Sequence, residues 1–201
     1  MKEGDQQVLT CTALGGNPLA DLTWFRGAEK IEGPVTIKED DDFSRSVLTV
    51  TAQKSDNSVG YRCDAASKAG PTQSASIRLP VQFKPDKVTV TADPATSVAG
   101  RKTVLKCETG SSRPAAEIKW HYKGKTLAGH TASVRPGTDS GEISVSMLEV
   151  QVTHLHDGAW YECEATNAAL QQSVHSAITL SVKCEFNDVQ WSRLERFHGS
   201  I

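Results

Sequence analysis

Cysteine, tryptophan and a Tyr-x-Cys triplet occur twice along this chain at matched intervals, and no other feature limits the fold so tightly. Cys11 and Cys107 each stand 13 residues before a tryptophan, Trp24 and Trp120, while Tyr61 and Tyr161 each stand two residues before Cys63 and Cys163. The second constellation is displaced from the first by 96 residues in its first half and by 100 in its second. Flanking residues keep step: "GGNPLADLTWF" aligns with "SSRPAAEIKWH", Gly4 and Gly100 lie seven residues before the first cysteine, and Leu48 and Leu148 lie 13 before the tyrosine. Self-similarity of this kind means two copies of one domain. The second copy carries four extra residues between Trp120 and Leu148, and 201 residues accommodate two units of about 100 each.

Within each copy the hydrophobic period is two. Leu22 and Trp24 flank Thr23, Leu48 and Val50 flank Thr49, and Tyr61, Cys63 and Ala65 alternate with Arg62 and Asp64. Ile118 and Trp120, Leu148 and Val150, then Tyr161, Cys163 and Ala165 repeat the pattern. Half-buried antiparallel strands read this way, and clusters of Gly, Pro, Asn and Asp punctuate them. No 12-residue stretch has a helical face, so the fold class is all-β.

Several functions lack their usual residues. A formal charge of -2, with Lys and Arg scattered, offers no general attraction to nucleic acid or anionic lipid. No run approaches the ~18 apolar residues of a membrane span, and the opening "MKEGDQQVLT" lacks the apolar core of a secretory signal. The expectation is a cytosolic protein or a piece of something larger. No Gly-x-Ser-x-Gly elbow, phosphate-binding glycine loop or His-Glu-x-x-His motif is present, so no enzyme and no cofactor is expected. None of the five cysteines forms a Cys-x-x-Cys pair. "HLHD" at 154–157 would set His154 and His156 on one side of a strand, yet no third metal ligand is fixed; "EDDD" at 39–42 lacks the alternating oxygen ligands of a calcium loop. Both read as solvated turns, and no metal site is expected.

A cysteine, an inward tryptophan and a Tyr-x-Cys about 40 residues later resembles the arrangement of an immunoglobulin-like sandwich. The resemblance implies two tandem immunoglobulin-like β-sandwich domains with bridges Cys11 to Cys63 and Cys107 to Cys163, joining strands B and F across the roughly 10 Å between sheets. Trp24 and Trp120 would pack on the bridges, and the hydroxyls of Tyr61 and Tyr161 would tie the corner before strand F to nearby backbone. Each bridge closes a loop of more than 50 residues, worth about 4 kcal/mol in the chain-entropy model. The pattern Asp-x-Gly-x-Tyr-x-Cys is altered in both copies: "DGAWYEC" carries Ala159 in the Gly slot, and "NSVGYRC" carries Asn57 and Val59 in the Asp and Gly slots.

The Pro-x-Ala-acid-aliphatic-x-Trp strand, with "YECEATNAALQQSVHSAITLSVK", is similar to the ectodomain repeats of nephrin-like adhesion molecules over residues 3 to 183. Nectins share much of the pattern. This resemblance implies a cell-surface setting in a parent chain with a single membrane span, and a protein partner, either a like molecule or another immunoglobulin-superfamily receptor. The intracellular alternative is a structural repeat of the muscle giant-protein type, which keeps its thiols reduced. No Asn-x-Ser/Thr acceptor for a glycan is present.

The expected organisation is a first domain over 1–82 with most of strand A missing, a second over 83–183 with strand A in "DKVTVTADP", and a non-domain tail over 184–201 with Cys184 unpaired. The junction "IRLPVQFKPDKVTV" has no Gly/Ser-rich linker, so a stiff segment is expected. Candidate partner-binding side chains are those that alternate outward on strands C and F: Thr23, Phe25, Arg62 and Asp64 in the first domain, and Lys119, His121, Glu162 and Glu164 in the second. Phe25 stands out, because an outward aromatic beside charged rim residues is typical of a contact patch.

Overall fold

A computed structural model describes residues 1–39, 43–68 and 70–184; most of the acidic run at 39–42 and the tail from 185 onward lie outside the described residues. The first domain runs β1 (Gln6–Leu14), β2 (Asp21–Arg26), β3 (Glu29–Ile31), β4 (Thr36–Glu39), β5 (Phe43–Thr51), β6 (Gly60–Ser67) and β7 (Gly70–Arg78). The second runs β8 (Val88–Asp93), β9 (Ser97–Val98), β10 (Lys102–Ser112), β11 (Glu117–Tyr122), β12 (Lys125–Leu127), β13 (Thr131–Pro136), β14 (Glu142–Gln151), β15 (Trp160–Asn167), β16 (Gln172–Thr179) and β17 (Val182–Lys183). Sheet β1-β5-β4 faces sheet β3-β2-β6-β7, and sheet β13-β14-β10-β8 faces sheet β12-β11-β15-β16. Among the described residues no strand pairs with the outer edge of β1, whereas β8 lies along the matching edge of β10.

Period-two patterning builds both cores. Along β5, buried Ser44, Ser46, Leu48 and Val50 alternate with exposed Arg45, Val47, Thr49 and Thr51. Leu9, Leu22, Trp24, Leu48, Val50, Tyr61 and Cys63 pack in one cluster; Leu105, Cys107, Ile118, Trp120, Leu148, Tyr161 and Cys163 pack in the other. Cys11 is bonded to Cys63 and Cys107 to Cys163, each pair with Cα atoms 6.4 Å apart, and Cys184 is free and exposed. Two buried serines per domain satisfy what the apolar core cannot. Ser46 and Ser146 accept the indole N–H of Trp24 and Trp120 at 3.2 and 3.1 Å, and Ser44 and Ser144 donate to the carbonyls of Ala20 and Ala116 at 2.6 Å. An indole needs such a partner when buried.

The corners before β6 and β15 depart from expectation in two ways. His154–His156 forms a 3-10 turn, as Lys54–Asp56 does in the first domain, so the two imidazoles do not share one side of a strand. Among the described residues no group of three metal-ligating side chains assembles. Neither tyrosine hydroxyl bonds to backbone among the described residues. Tyr61 donates to Asp56 Oδ1 at 2.9 Å, and the same oxygen takes Arg26 Nε at 2.6 Å while Oδ2 takes the Gln53 N–H at 2.9 Å. Burial pushes the Asp56 carboxyl up, but the bonds from Gln53, Arg26 and Tyr61 outweigh it and hold the group below its ordinary range. At the repeat-equivalent positions the second domain has Tyr122, His156 and Tyr161, so the acid-base pair gives way to stacked rings, Tyr122 on Tyr161 at 4.7 Å between centroids. Asn57 and Asp157 do the same local work, accepting the N–H of Val81 and Val182 at 3.2 and 2.9 Å.

The junction is bonded on several sides. Phe83 exchanges backbone hydrogen bonds with Arg113, its N–H to Arg113 O at 3.0 Å and the reverse at 2.8 Å, and Asn167 Nδ2 reaches Phe83 O at 3.0 Å. The Asn57 amide crosses to the carbonyls of Asp139 and Ser140 at 2.8 and 3.3 Å, and Lys54 pairs with Asp86 at 2.5 Å. Chain ends are clamped by parallel pairing: β9 with β17 in the second domain, and Lys2 with Gln82 in the first.

Candidate protein-contact face

Register places the outward side chains of β2 and β6 on one surface. Phe25 faces Arg62, Thr23 faces Asp64, and Trp24 faces Cys63 on the inner side. Long side chains on such neighbouring strands make cross-strand contacts. The Arg62 guanidinium lies 4.4 Å from the centroid of the Phe25 ring, and its Nε lies 2.8 Å from Asp64 Oδ1, close enough to pair although not aligned as a hydrogen bond. Asp64 also accepts the Ser74 hydroxyl at 2.7 Å. Phe25 is therefore half-buried beneath Arg62 rather than a free-standing aromatic. A cation over an aromatic face contributes about 0.5–1 kcal/mol at an exposed site.

In the second domain the matching surface is a His–Glu lattice. His121 and Glu162 are register partners, as are Lys119 and Glu164, while Glu164 also faces His175. Hydrogen bonds run diagonally: His121 Nε2 to Glu164 Oε2 at 2.9 Å and His175 Nδ1 to Glu162 Oε1 at 3.0 Å. The bond with His121, with further help from Ser173 and the imidazole charges, holds the Glu164 carboxyl below its usual range against the opposing effect of burial. The two domains thus present different chemistry on equivalent strands, a guanidinium over a phenyl ring in one and imidazole–carboxylate pairs in the other.

One outward residue escaped the sequence reading. Trp160 is 58% exposed at the start of β15 and lines, with His121, Lys123, Gly124 and Glu162, a depression of about 190 Å³. Its signal was present. Standing one residue before inward Tyr161, it has the same phase as Glu162 and Glu164.

Residues 1–81 match the family model of the immunoglobulin I-set domain, and residues 83–174 match that of the CD80-like C2-set immunoglobulin domain. Mouse nephrin is 32% identical over 186 residues, covering 91% of this chain and 15% of nephrin. Human cell adhesion molecule 2 is 28% identical over 179 residues, covering 85% of this chain and 39% of that protein. The chain therefore spans well under half the length of these relatives. Among solved structures, the first two domains of Rst superpose with a TM-score of 0.58 at 21% identity, covering 90% of this chain and 93% of that one, which bears on the fold alone.

Proposed function

We propose, from the premise that this chain belongs to the immunoglobulin superfamily as a tandem pair of its domains, that it is an extracellular segment of a nephrin-like cell adhesion receptor. Its parent is anchored in the plasma membrane, and the segment meets another immunoglobulin-superfamily receptor, or a second copy of itself, through the outward face of β2 and β6. The work is contact, not a reaction. Two disulfides per pair of domains fit an oxidising compartment and disfavour the intracellular structural-repeat alternative.

The observation that carries this reading is the Phe25, Arg62 and Asp64 unit. Contacts within the domain hold all three side chains in one shape, which reduces the rotamer freedom that binding would otherwise remove. Arginine and aromatic residues also dominate the energetics of protein interfaces. Lys119, His121, Glu162, Glu164 and the additional Trp160 form a second surface of the same kind.

The double variant Phe25→Ser/Arg62→Ser tests it. Loss of the cation–ring contact and some packing should cost about 1 kcal/mol of stability, leaving the fold intact. Self-association by sedimentation, or capture of a candidate receptor ectodomain, should weaken at least about tenfold if these are central contact residues. Binding indistinguishable from wild type would remove the contact from this face. A second reading, a spacer within a rod of domains, is favoured by the bonded junction, and it is the reading that such a result would leave.

A further inference from the structure

The two sandwiches differ at one edge. In the second domain β8 pairs antiparallel with β10, setting Ala92 opposite Leu105, Val90 opposite Cys107 and Val88 opposite Thr109, and it also lies against β16. Val88, Val90 and Ala92 pack on the core, while Thr89, Thr91 and Asp93 stay exposed. The same edge of β1 in the first domain carries no strand among the described residues. Inward positions there are left partly uncovered. Cys107 is 0% exposed but Cys11 is half-buried; Ile77, the register partner of Tyr61, is 50% exposed, whereas Ile178, the partner of Tyr161, packs on its core.

The uncovered space has the form of one strand. A groove of about 490 Å³ runs between residues 7–12 of β1 and 75–77 of β7, and a second of about 330 Å³ continues it past Ala13 and Leu14. Cys11, Cys63 and Ala75 line both. An extended peptide that joins an open sheet edge gains main-chain hydrogen bonds, and the pockets that meet its alternate side chains decide which peptide fits. Shifting the second-domain pairing back by the repeat interval of 96 residues puts an apolar side chain opposite each of Leu9, Cys11 and Ala13. The described segments that could supply it are already held: β8 by β10, and Met1 and Glu3 by backbone bonds with Gln82 at 2.8 and 2.9 Å. A second copy of the chain holds them in the same way.

We propose that the first domain accepts one extended strand from a separate polypeptide, apolar at every second position, which pairs antiparallel with residues 8–13 of β1 and sets its apolar side chains against Leu9, Cys11 and Ala13. The polar side chains between them face solvent, as Thr89 and Thr91 do. The inference is independent of the contact face on β2 and β6. It rests on the open groove and on the second domain as its template.

A peptide with the sequence of residues 86–96, "DKVTVTADPAT", is the probe. Titrated into the oxidised 201-residue chain and followed by NMR, it should give saturable shifts at Leu9, Cys11, Ala13, Ala75 and Ile77 and slow amide exchange along β1. Val90→Asp in the peptide would bury a carboxylate beside Cys11 and should weaken binding at least about tenfold, with the protein unaltered. Residues 86–96 fused directly ahead of Met1 stand as they do ahead of Ser97, since Lys2 pairs with Gln82 as Val98 pairs with Lys183; the fusion should fill the groove and abolish capture of free peptide. The proposal is overturned by the absence of saturable shifts, by shifts at β10 instead of β1, by equal binding of the Val90→Asp peptide, or by undiminished binding to the fused chain. The peptide variant keeps the test decisive even if the fused chain fails to fold.

Discussion

Replacing Asp56 by alanine should destabilise the first domain by about 3 kcal/mol and remove much of its acid sensitivity, leaving the second domain unaffected. The side chain is 4% exposed and takes three hydrogen bonds: from Arg26 at 2.6 Å, Tyr61 at 2.9 Å and the Gln53 N–H at 2.9 Å. Bonds to an ionised group contribute about 1.5–3 kcal/mol net each, and an abandoned buried donor costs about 1–3 kcal/mol. Arg26 is 34% exposed and regains water, so its share is small; Tyr61, 3% exposed, does not. The pH dependence follows from the direction of the shift. Because the folded carboxyl lies below its ordinary 3.8, its stabilisation is complete above that value and is lost as pH falls through the lower, folded value. Urea titrations at pH 7 and at steps between about pH 5 and 2.5, read by hydrogen exchange on peptides from each domain, separate the two. Loss within about 0.5 kcal/mol of wild type at pH 7, or an acid slope equal to wild type, would refute the reasoning.

Trp120→Ala should cost about 3–5 kcal/mol, since the indole is fully buried and donates to Ser146, whereas His121→Ala should cost under about 1 kcal/mol for a part-buried pair with Glu164; equal losses in denaturant melts would mean the register of β11 is wrong. Asn57→Asp keeps the acceptor for Val81 but turns a carboxylate oxygen toward the carbonyls of Asp139 and Ser140, so small-angle scattering should register a wider spread of interdomain angles, and an unchanged profile would show that this amide does not set the junction.

What the sequence revealed and what it hid divide by sequence distance. The duplicated cysteine and tryptophan intervals expose both sandwiches, and a period of two assigns inner and outer sides of β2, β5, β6, β11, β14 and β15, because each strand is long enough to repeat its pattern. Two-residue β9 and β17 have no period to read. The corner differed because its chemistry depends on partners about 30 residues away, Arg26 with Asp56 and Tyr122 with His156, while the local Tyr-x-Cys triplets look alike. The Asn57 contact with Asp139 spans 82 residues and has no local signature. The period of two gives Phe25 an outward phase, yet phase says nothing of Arg62 folding over it. Trp160 is legible in the sequence, since the alternation that turns Tyr161 and Cys163 inward extends one residue back and turns Trp160 outward.

Tension through the second domain bears on β8 against β10 and on the parallel clamp of β9 with β17. A pull that separates Lys183 from Ser97 loads the Ser97 N–H to Ser181 O and Ala99 N–H to Lys183 O bonds side by side in shear, so they resist together instead of unzipping in turn. Once they part, the bridges shorten the path that carries the load. Cys11 to Cys63 takes a separation of 52 residues off that path, and Cys107 to Cys163 takes 56, each withholding about 180 Å of extension at roughly 3.4 Å per residue. Stretched and oxidised, each domain therefore lengthens only through the residues outside its loop, and reducing agents would lengthen the same tether by a fixed step per bridge.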